Sequence, residues 1–379
     1  MRTILESDDG AAVQLCADQP IELTIVIPTF NERGNIIELL RRIEAVLRDV
    51  VWEAIIVDDN SPDGTAELAR QTARYDRRVR CIKRIGRRGL SSASIEGIMA
   101  SAAPYVAVMD ADLQHDERIL PVMLRALRSE EIDIAIGSRF VEGGGVGAFS
   151  QSRQRISRLA TRLSRSVLRA DLADPMSGFF AVRRDVVEAA AERLSGIGFK
   201  ILLDLFASSP RPMRFKEIPF EFRERFSGES KLDSQVVWDY LMFLLDKLIG
   251  HIVPVRFISF SLVGGLGVCL HLLVLATLFK AGEVAFVASQ AIATVVAMTS
   301  NFILNNYLTY RDRRLRGWAL LRGWLSFSVA CSVGAVANVG IAAYLFEIHT
   351  PWLPSAMAGI VVSAVWNYAV TSVYTWNKS

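Results

Sequence analysis

After the apolar run YVAVM (105–109) come two aspartates two positions apart, Asp110 and Asp112, and at the same spacing Gln114. Side chains two apart on a strand point the same way. If extended geometry continues to the end of YVAVMDADLQH, the two carboxylates and the amide converge at the strand's carboxyl edge. In open α/β sheets that edge is where ligands sit. Hard oxygen donors that leave room for phosphate oxygens describe a Mg²⁺ or Mn²⁺ site, with metal ligands Asp110, Asp112 and Gln114. An acidic loop after a strand is the plainer reading of the same residues, so the rest of the chain has to decide.

Such a cluster needs a sheet to hold it. LTIVIP (Leu23–Pro28) is of strand type, and Asn35–Asp49 carries Ile36, Leu39, Leu40, Ile43 and Leu47 at helical period. Further strands are expected at Ala54–Val57, Val79–Lys83 and Ile132–Ile136. Strands alternating with helices at this spacing predict a largely parallel sheet covered on both faces. Polar groups follow several strands: Thr29, Asn31 and Glu32, then Asp58 and Asp59, then the D-x-D, then Ser138 and Arg139. Four such ends in succession predict a nucleotide site spread along one edge. No G-x-G-x-x-G or G-x-x-x-x-G-K-[ST] occurs, which argues against a dehydrogenase or a P-loop NTPase.

PTFNE (28–32), VDDNSPDGT (57–65), DADLQH (110–115), GSR (137–139), SGFF (177–180) and FSGESKL (226–232) together resemble the dolichol-phosphate mannose synthases. The resemblance covers roughly residues 21–235. It implies an inverting GT-A glycosyltransferase, an α/β Rossmann-like fold, that charges a polyprenyl (dolichyl) monophosphate with mannose from GDP-mannose. It also implies a role for each position. Pro28, Thr29, Glu32 and Asp59 line the base and ribose pocket, beside Asp110 and Asp112. Asp112 and Gln114 are the direct ligands of a Mg²⁺ or Mn²⁺ cofactor or its water shell. Arg139 meets a phosphate, Asp174 faces the sugar and its reacting centre, and Arg225, Ser230 and Lys231 clamp the acceptor phosphate. Taken singly, Glu32 and Asp63 are equally well helix caps, and Arg225 and Lys231 are equally well solvated charges.

The chemistry suits these groups. A phosphate monoester has its second pKa near about 6, so the attacking oxygen is ionised at neutral pH and needs no strong base. What must be managed is the meeting of three phosphates and the charge building on the leaving group, the work of a divalent cation and fixed Arg or Lys donors. The alternatives are a polyprenyl-phosphate glucosyltransferase using UDP-glucose, or a lipid-linked-sugar flippase whose soluble half only binds or regulates. A processive polysaccharide synthase is disfavoured because no Q-x-x-R-W occurs.

Between Arg139 and Asp174, a glycine-rich hinge (Gly143, Gly144, Gly145, Gly147) precedes Arg153–Arg169. There Arg155, Arg158, Arg162, Arg165 and Arg169 recur every three or four residues beside Ile156, Leu159, Leu163 and Val167. A basic amphipathic helix of this kind lies on anionic membrane surfaces. It reads as a lid near the headgroups, or as an ordinary surface helix.

The net charge of +3 over 379 residues gives no support to nucleic-acid binding, and four cysteines without a C-x-x-C form no disulfide framework. Charge is concentrated before about residue 256. Residues 1–20, with Glu6, Asp8 and Asp9, read as a loose tail without a cleaved secretory signal. Residues 21–233 form the glycosyltransferase domain. Residues 234–250, with Asp239 and Asp246 on one face and Trp238 and Tyr240 suited to a headgroup region, form an interfacial helix. Residues 251–379 hold four uncharged stretches, Phe257–Phe279, Val284–Tyr310, Gly323–Phe346 and Thr350–Asn377, each long enough to span. They form a duplicated hairpin: 258–279 aligns with 325–346, and 300–310 with 365–375. This half resembles the GtrA-like four-helix domain. Arg311–Arg316 (RDRRLR) against the poorly basic Lys280–Glu283 and Glu347–Pro354 predicts a cytoplasmic catalytic half in a multi-pass membrane protein. Asn301, Asn305, Asn338, Asn367 and His271 invite a transport reading, or serve as interhelical hydrogen-bonding groups. Oligomeric state is not set by the sequence.

Overall fold

The computed structural model describes residues 19–145, 164, 168, 170–195, 200–223, 234–250 and 253–376. The chain divides into two compact units, Met1–Leu232 and Asp233–Ser379.

The first unit is built on seven strands: β1 (Leu23–Thr29), β2 (Trp52–Asp58), β3 (Val79–Lys83), β4 (Tyr105–Val108), β5 (Ile134–Ser138), β6 (Phe180–Arg183) and β7 (Phe215–Pro219). Their order is β3-β2-β1-β4-β6-β5-β7. β6 runs antiparallel to both neighbours, and every other pair is parallel. The helices are α1 (Ile36–Val46), α2 (Thr65–Tyr75), α3 (Leu90–Met99), α4 (Leu120–Ser129), α5 (Arg184–Ala190) and α6 (Ile201–Ser208). Alternate residues of β1 point to opposite faces. Leu23, Ile25 and Ile27 pack with Ile36, Leu39 and Ile43 of α1 and Met123, Leu124 and Leu127 of α4. Val26 packs on the other face with Ala93 and Ile98 of α3 and Ile201, Leu202 and Leu205 of α6. Burial on both faces is why β1 and β2 read as continuous apolar runs rather than alternating ones. The proline in this central strand is tolerated because β4 pairs only with Leu23–Val26, so Pro28 lies beyond the last rung on that side.

The expectation of an extended D-x-D is corrected. β4 stops at Val108, and the chain turns over Ala111–Leu113, where Leu113 adopts φ +63°. The Gln114 N–H donates to Asp112 Oδ1 (3.2 Å), a local side-chain turn that competes with the ladder. The acidic cluster is therefore presented by a tight loop, not by strand alternation.

The second unit holds α7 (Ser234–Ile249), α8 (Val255–Ala276), α9 (Phe286–Leu304), α10 (Trp318–Glu347) and α11 (Trp352–Val370). Among the described residues, four apolar helical segments are long enough to cross a membrane: Val255–Ala281, Phe286–Thr309, Trp318–Glu347 and Met357–Thr375. The third starts five residues before the predicted Gly323; its 30 residues span about 45 Å, so part of it extends past a bilayer's hydrocarbon.

The duplication is visible in atoms, with its second half one residue out of the aligned register. α9 and α11 both end in a π-helical turn, Asn305–Thr309 and Thr371–Thr375. Ser259 bonds Thr309 (2.7 Å) as Ser326 bonds Thr375 (3.0 Å). A Cβ at Gly267 would meet Asn301 Oδ1 at 2.2 Å, and one at Gly334 would meet Asn367 Oδ1 at 2.2 Å. Asn301 thus corresponds to Asn367, not to Trp366. An apolar alignment carries few anchors, and these polar contacts supply them. The corresponding Tyr310 and Trp376 stack on each other, 4.1 Å between centroids and 5° between planes, among Phe260, Phe302 and Phe327.

Candidate active site

At the carboxyl ends of β1, β2 and β4 a cleft of about 210 Å³ is lined by Pro28, Thr29, Phe30, Glu32, Asp59, Leu90, Ala93, Asp110, Ala111 and Asp112. All six residues expected at a nucleotide sugar (Pro28, Thr29, Glu32, Asp59, Asp110, Asp112) therefore share one wall-to-wall space, although they come from three separate stretches of chain.

Side chains of the second motif hold the backbone of the first. The N–H groups of Asn31, Glu32 and Arg33 donate in turn to Ser61 Oγ (2.9 Å), Thr65 Oγ1 (3.1 Å) and Asp63 Oδ2 (3.1 Å). Asp63 also accepts from Thr65 N (3.0 Å) in the turn before α2, whose N-cap is Gly64 rather than Asp63. Asn31 and Asn60 turn with φ +62° and +57°, which asparagine tolerates better than most residues. Glu32 accepts from Asn35 Nδ2 (2.7 Å). Asp59 accepts the Gly89 N–H (2.7 Å) and lies 3.1 Å from the buried Arg84 guanidinium. Burial nonetheless pushes its carboxyl above the ordinary range.

On the β4 side, Gln114 Nε2 donates to Arg223 O (3.0 Å), while Arg223 N–H donates to Gln114 O (3.0 Å). With the amide nitrogen so engaged, the oxygen is the atom Gln114 offers to a ligand. The guanidinium of Arg223 bridges Asp116 and Glu117, 2.7 Å to each, tying the loop to the segment after β7. Two carboxylates and one amide oxygen are hard donors too few to fill an octahedron, the composition Mg²⁺ and Mn²⁺ use when phosphates and waters supply the rest. By donor chemistry the set suits such an ion, although only Asp110 and Asp112 of the three line the cleft.

His115 closes this loop. Its Nδ1 accepts the Asp110 N–H (3.1 Å), and its ring stacks on Phe179 (4.9 Å, 12°). Burial holds the imidazole down to about 4, so it is neutral at physiological pH.

Arg139 follows β5. Asp174, expected to face the sugar, is instead fully buried, with Oδ2 accepting from Arg139 Nε (2.7 Å) and Oδ1 from an Arg139 terminal nitrogen (2.8 Å). Glu217 in turn accepts the backbone N–H groups of Ala173 (2.9 Å) and Asp174 (3.0 Å). A bidentate pair of this geometry aims a guanidinium. Asp174 is placed to hold Arg139 rather than to touch substrate.

Arg225, Ser230, Lys231 and the basic run Arg155, Arg158, Arg162, Arg165 and Arg169 lie outside the described residues. Sequence reasoning missed His115, Arg223, Glu217 and Arg84. Only His115 carried a signal, as the last letter of DADLQH.

Residues 24–190 match the family described as Glycosyl transferase family 2, and residues 259–376 match the GtrA/DPMS transmembrane domain. The dolichol-phosphate mannosyltransferase of Pyrococcus furiosus is 35% identical over 364 residues, 94% of this chain and 99% of that protein. The protein of the same name from Saccharomyces cerevisiae is 36% identical over 233 residues, 59% of this chain and 86% of its own. Among solved structures, glucosyl-3-phosphoglycerate synthase from Mycobacterium tuberculosis matches at 17% identity with a TM-score of 0.46, covering 60% of this chain and 78% of that one.

Proposed function

Because the chain belongs to the dolichol-phosphate mannosyltransferases, family 2 glycosyltransferases with a GtrA/DPMS membrane domain, we propose that it transfers mannose from GDP-mannose to a polyprenyl phosphate. The acceptor would be a dolichyl or related monophosphate at the cytoplasmic membrane face. The observation that carries this reading is the cleft that gathers Thr29, Glu32, Asp59, Asp110 and Asp112.

In this reading Pro28, Thr29, Glu32 and Asp59 seat the nucleoside. Asp110, Asp112 and Gln114 would hold a Mg²⁺ or Mn²⁺ ion, which when bound neutralises charge on the departing diphosphate. A phosphate oxygen of the acceptor, already ionised, attacks the anomeric carbon from the face opposite the nucleotide. The bond from that carbon to the diphosphate oxygen breaks, and an α-linked donor gives a β-linked product. Arg139, aimed by Asp174, meets a phosphate. Arg225, Ser230 and Lys231 would grip the acceptor phosphate. The arginine-rich segment 153–169 would rest at the headgroups, α7 would lie along the bilayer surface, and RDRRLR would mark the cytoplasmic side. The four spans hold the enzyme where its lipid substrate is.

The test is purified full-length protein with a short polyprenyl phosphate, Mn²⁺ or Mg²⁺, and a panel of labelled GDP- and UDP-sugars. Mannosyl lipid from GDP-mannose is the expected product, with a β linkage by NMR. Glucosyl lipid from UDP-glucose would replace the donor and keep the chemistry. Lipid-linked sugar moved between leaflets by Asp112→Ala protein, with no transfer by wild type, would replace the enzyme by a flippase.

A further inference from the structure

The three candidate metal donors all lie inside one small closure, the hydrogen bond from Asp110 N–H to His115 Nδ1. Because Nδ1 is the acceptor, a neutral ring carries its proton on Nε2. That nitrogen faces Asp110 Oδ2 at 3.7 Å, too far for a hydrogen bond but on the same carboxylate. The ring cannot turn away. It is stacked on Phe179 and met edge-on by Phe220 (5.9 Å) and Phe222 (6.0 Å), with 3% of its surface exposed. Gly178 seals the remaining side: a Cβ there would lie 3.3 Å from Asp110 Oδ2 and 3.6 Å from His115 Cε1.

We infer that His115 is a positioning residue for the divalent-ion site, fixing the backbone of Asp110 from inside the aromatic cluster; this rests on the metal reading proposed above. A ring chosen only for packing among three phenylalanines would be another phenylalanine, which buries no polar atom. Histidine adds the one feature phenylalanine lacks, an acceptor for the Asp110 N–H at the loop's first ligand. Ligand-orienting partners of this kind are worth about 10- to 100-fold in metal affinity or activity.

The experiment separates packing from positioning. Full-length protein in detergent with GDP is titrated with Mn²⁺, bound ion is read by electron paramagnetic resonance, and steady-state constants are measured alongside. His115→Phe keeps the stack and loses the acceptor; His115→Asn loses the stack and keeps an acceptor oxygen. Positioning predicts that Phe raises the Mn²⁺ dissociation constant about tenfold or more while Asn stays within about threefold of wild type. The KM for polyprenyl phosphate should be unchanged in both. Gly178→Ala, which presses on the same carboxylate and on His115 Cε1 while leaving the ring's acceptor in place, should weaken Mn²⁺ in the direction of the Phe variant, and wild-type affinity in it overturns the inference if the Phe variant does not fold. A Phe variant binding Mn²⁺ as wild type does, or an Asn variant weaker than Phe, overturns the inference alone. Wild-type protein that binds no Mn²⁺ overturns the metal reading beneath it.

Discussion

Polar groups at the edge of the sheet are charged, occur once each and are held by loops, whereas those buried in the helical unit are mostly neutral, occur in pairs and are held by the helices. Asp59, Asp110, Asp112 and Glu32 face a cleft; Asp59 is braced by Gly89 from a distant stretch of chain, and the other three by residues of their own loops. Ser259 and Ser326, Thr309 and Thr375, Asn301 and Asn367 face inward against the same partners in both repeats. The difference follows from the surroundings. A carboxylate at the sheet edge is tolerated where donors or solvent reach it, while in hydrocarbon a neutral polar group costs far less than a charged one. Chemistry therefore belongs to the unrepeated part. The helical unit's asparagines read as packing: a glycine sits opposite each of Asn301 and Asn367, and Asn306 accepts from Leu315 N (2.9 Å) and Trp376 Nε1 (3.1 Å). This last contact has no counterpart, since Ser372 stands in the equivalent place, and it is where one repeat closes on the other.

The contrast is tested most severely by Asp112→Ala. Transfer of labelled sugar to lipid should fall by about 10²-fold or more, the scale of losing preorganised charge stabilisation at a reacting centre. The unfolding of the helical unit, followed by circular dichroism in detergent, should not move. Loss of helical cooperativity together with activity would mean that the two parts are not independent in this sense.

Next in size is the buried pair. Asp174→Ala leaves Arg139 without its carboxylate and should destabilise the catalytic unit by about 3–5 kcal/mol. Adding Arg139→Met should recover part of that loss, since two apolar residues replace a pair rather than break it. If the single and double variants unfold alike, Arg139 was not depending on Asp174.

In the helical unit the prediction is symmetry. Gly267→Val and Gly334→Val each drive a side chain into an asparagine and should cost a similar amount, about 1–3 kcal/mol of overpacking. Gly264→Val, where nothing lies within 4 Å of the added carbon, is the control and should be nearly silent. A large effect at one glycine and none at the other would show that the repeats have parted in function.

Much of this arrangement was legible in the chain itself. β1, β2, β4, β5 and the four spans follow from runs of apolar residues, because burial on both faces or in lipid writes itself into composition, whereas β3 (VRCIK) is marked only by its place in the alternation of strands and helices. β6 (FAVR) and β7 (FKEIP) carry no apolar run long enough to announce a strand. The pairings that shape the site were not legible, since Gln114 and Arg223 are 109 residues apart and Arg139 and Asp174 are 35 apart. The repeat register slipped by one because leucine, valine and alanine align almost anywhere, and polar contacts such as Gly267 with Asn301 and Gly334 with Asn367 fix it.

Leu113 is the sharpest case of illegibility and gives the smallest expected effect. A leucine carries no preference for φ +63°, and holding one there costs about 1–2 kcal/mol. Leu113→Gly would relieve that cost. The side chain is 2% exposed, however, and its burial contributes about 1.5–3 kcal/mol. Glycine also gains freedom in the unfolded chain, worth about 0.4–1 kcal/mol against the fold. The terms nearly offset, leaving a net loss of about 1 kcal/mol, where an unstrained buried leucine would lose several. A loss above about 3 kcal/mol in denaturant unfolding of the catalytic unit would mean that the backbone at Leu113 is not strained. The turn that presents Asp112 and Gln114 would then be the chain's preferred local shape rather than one imposed by its neighbours.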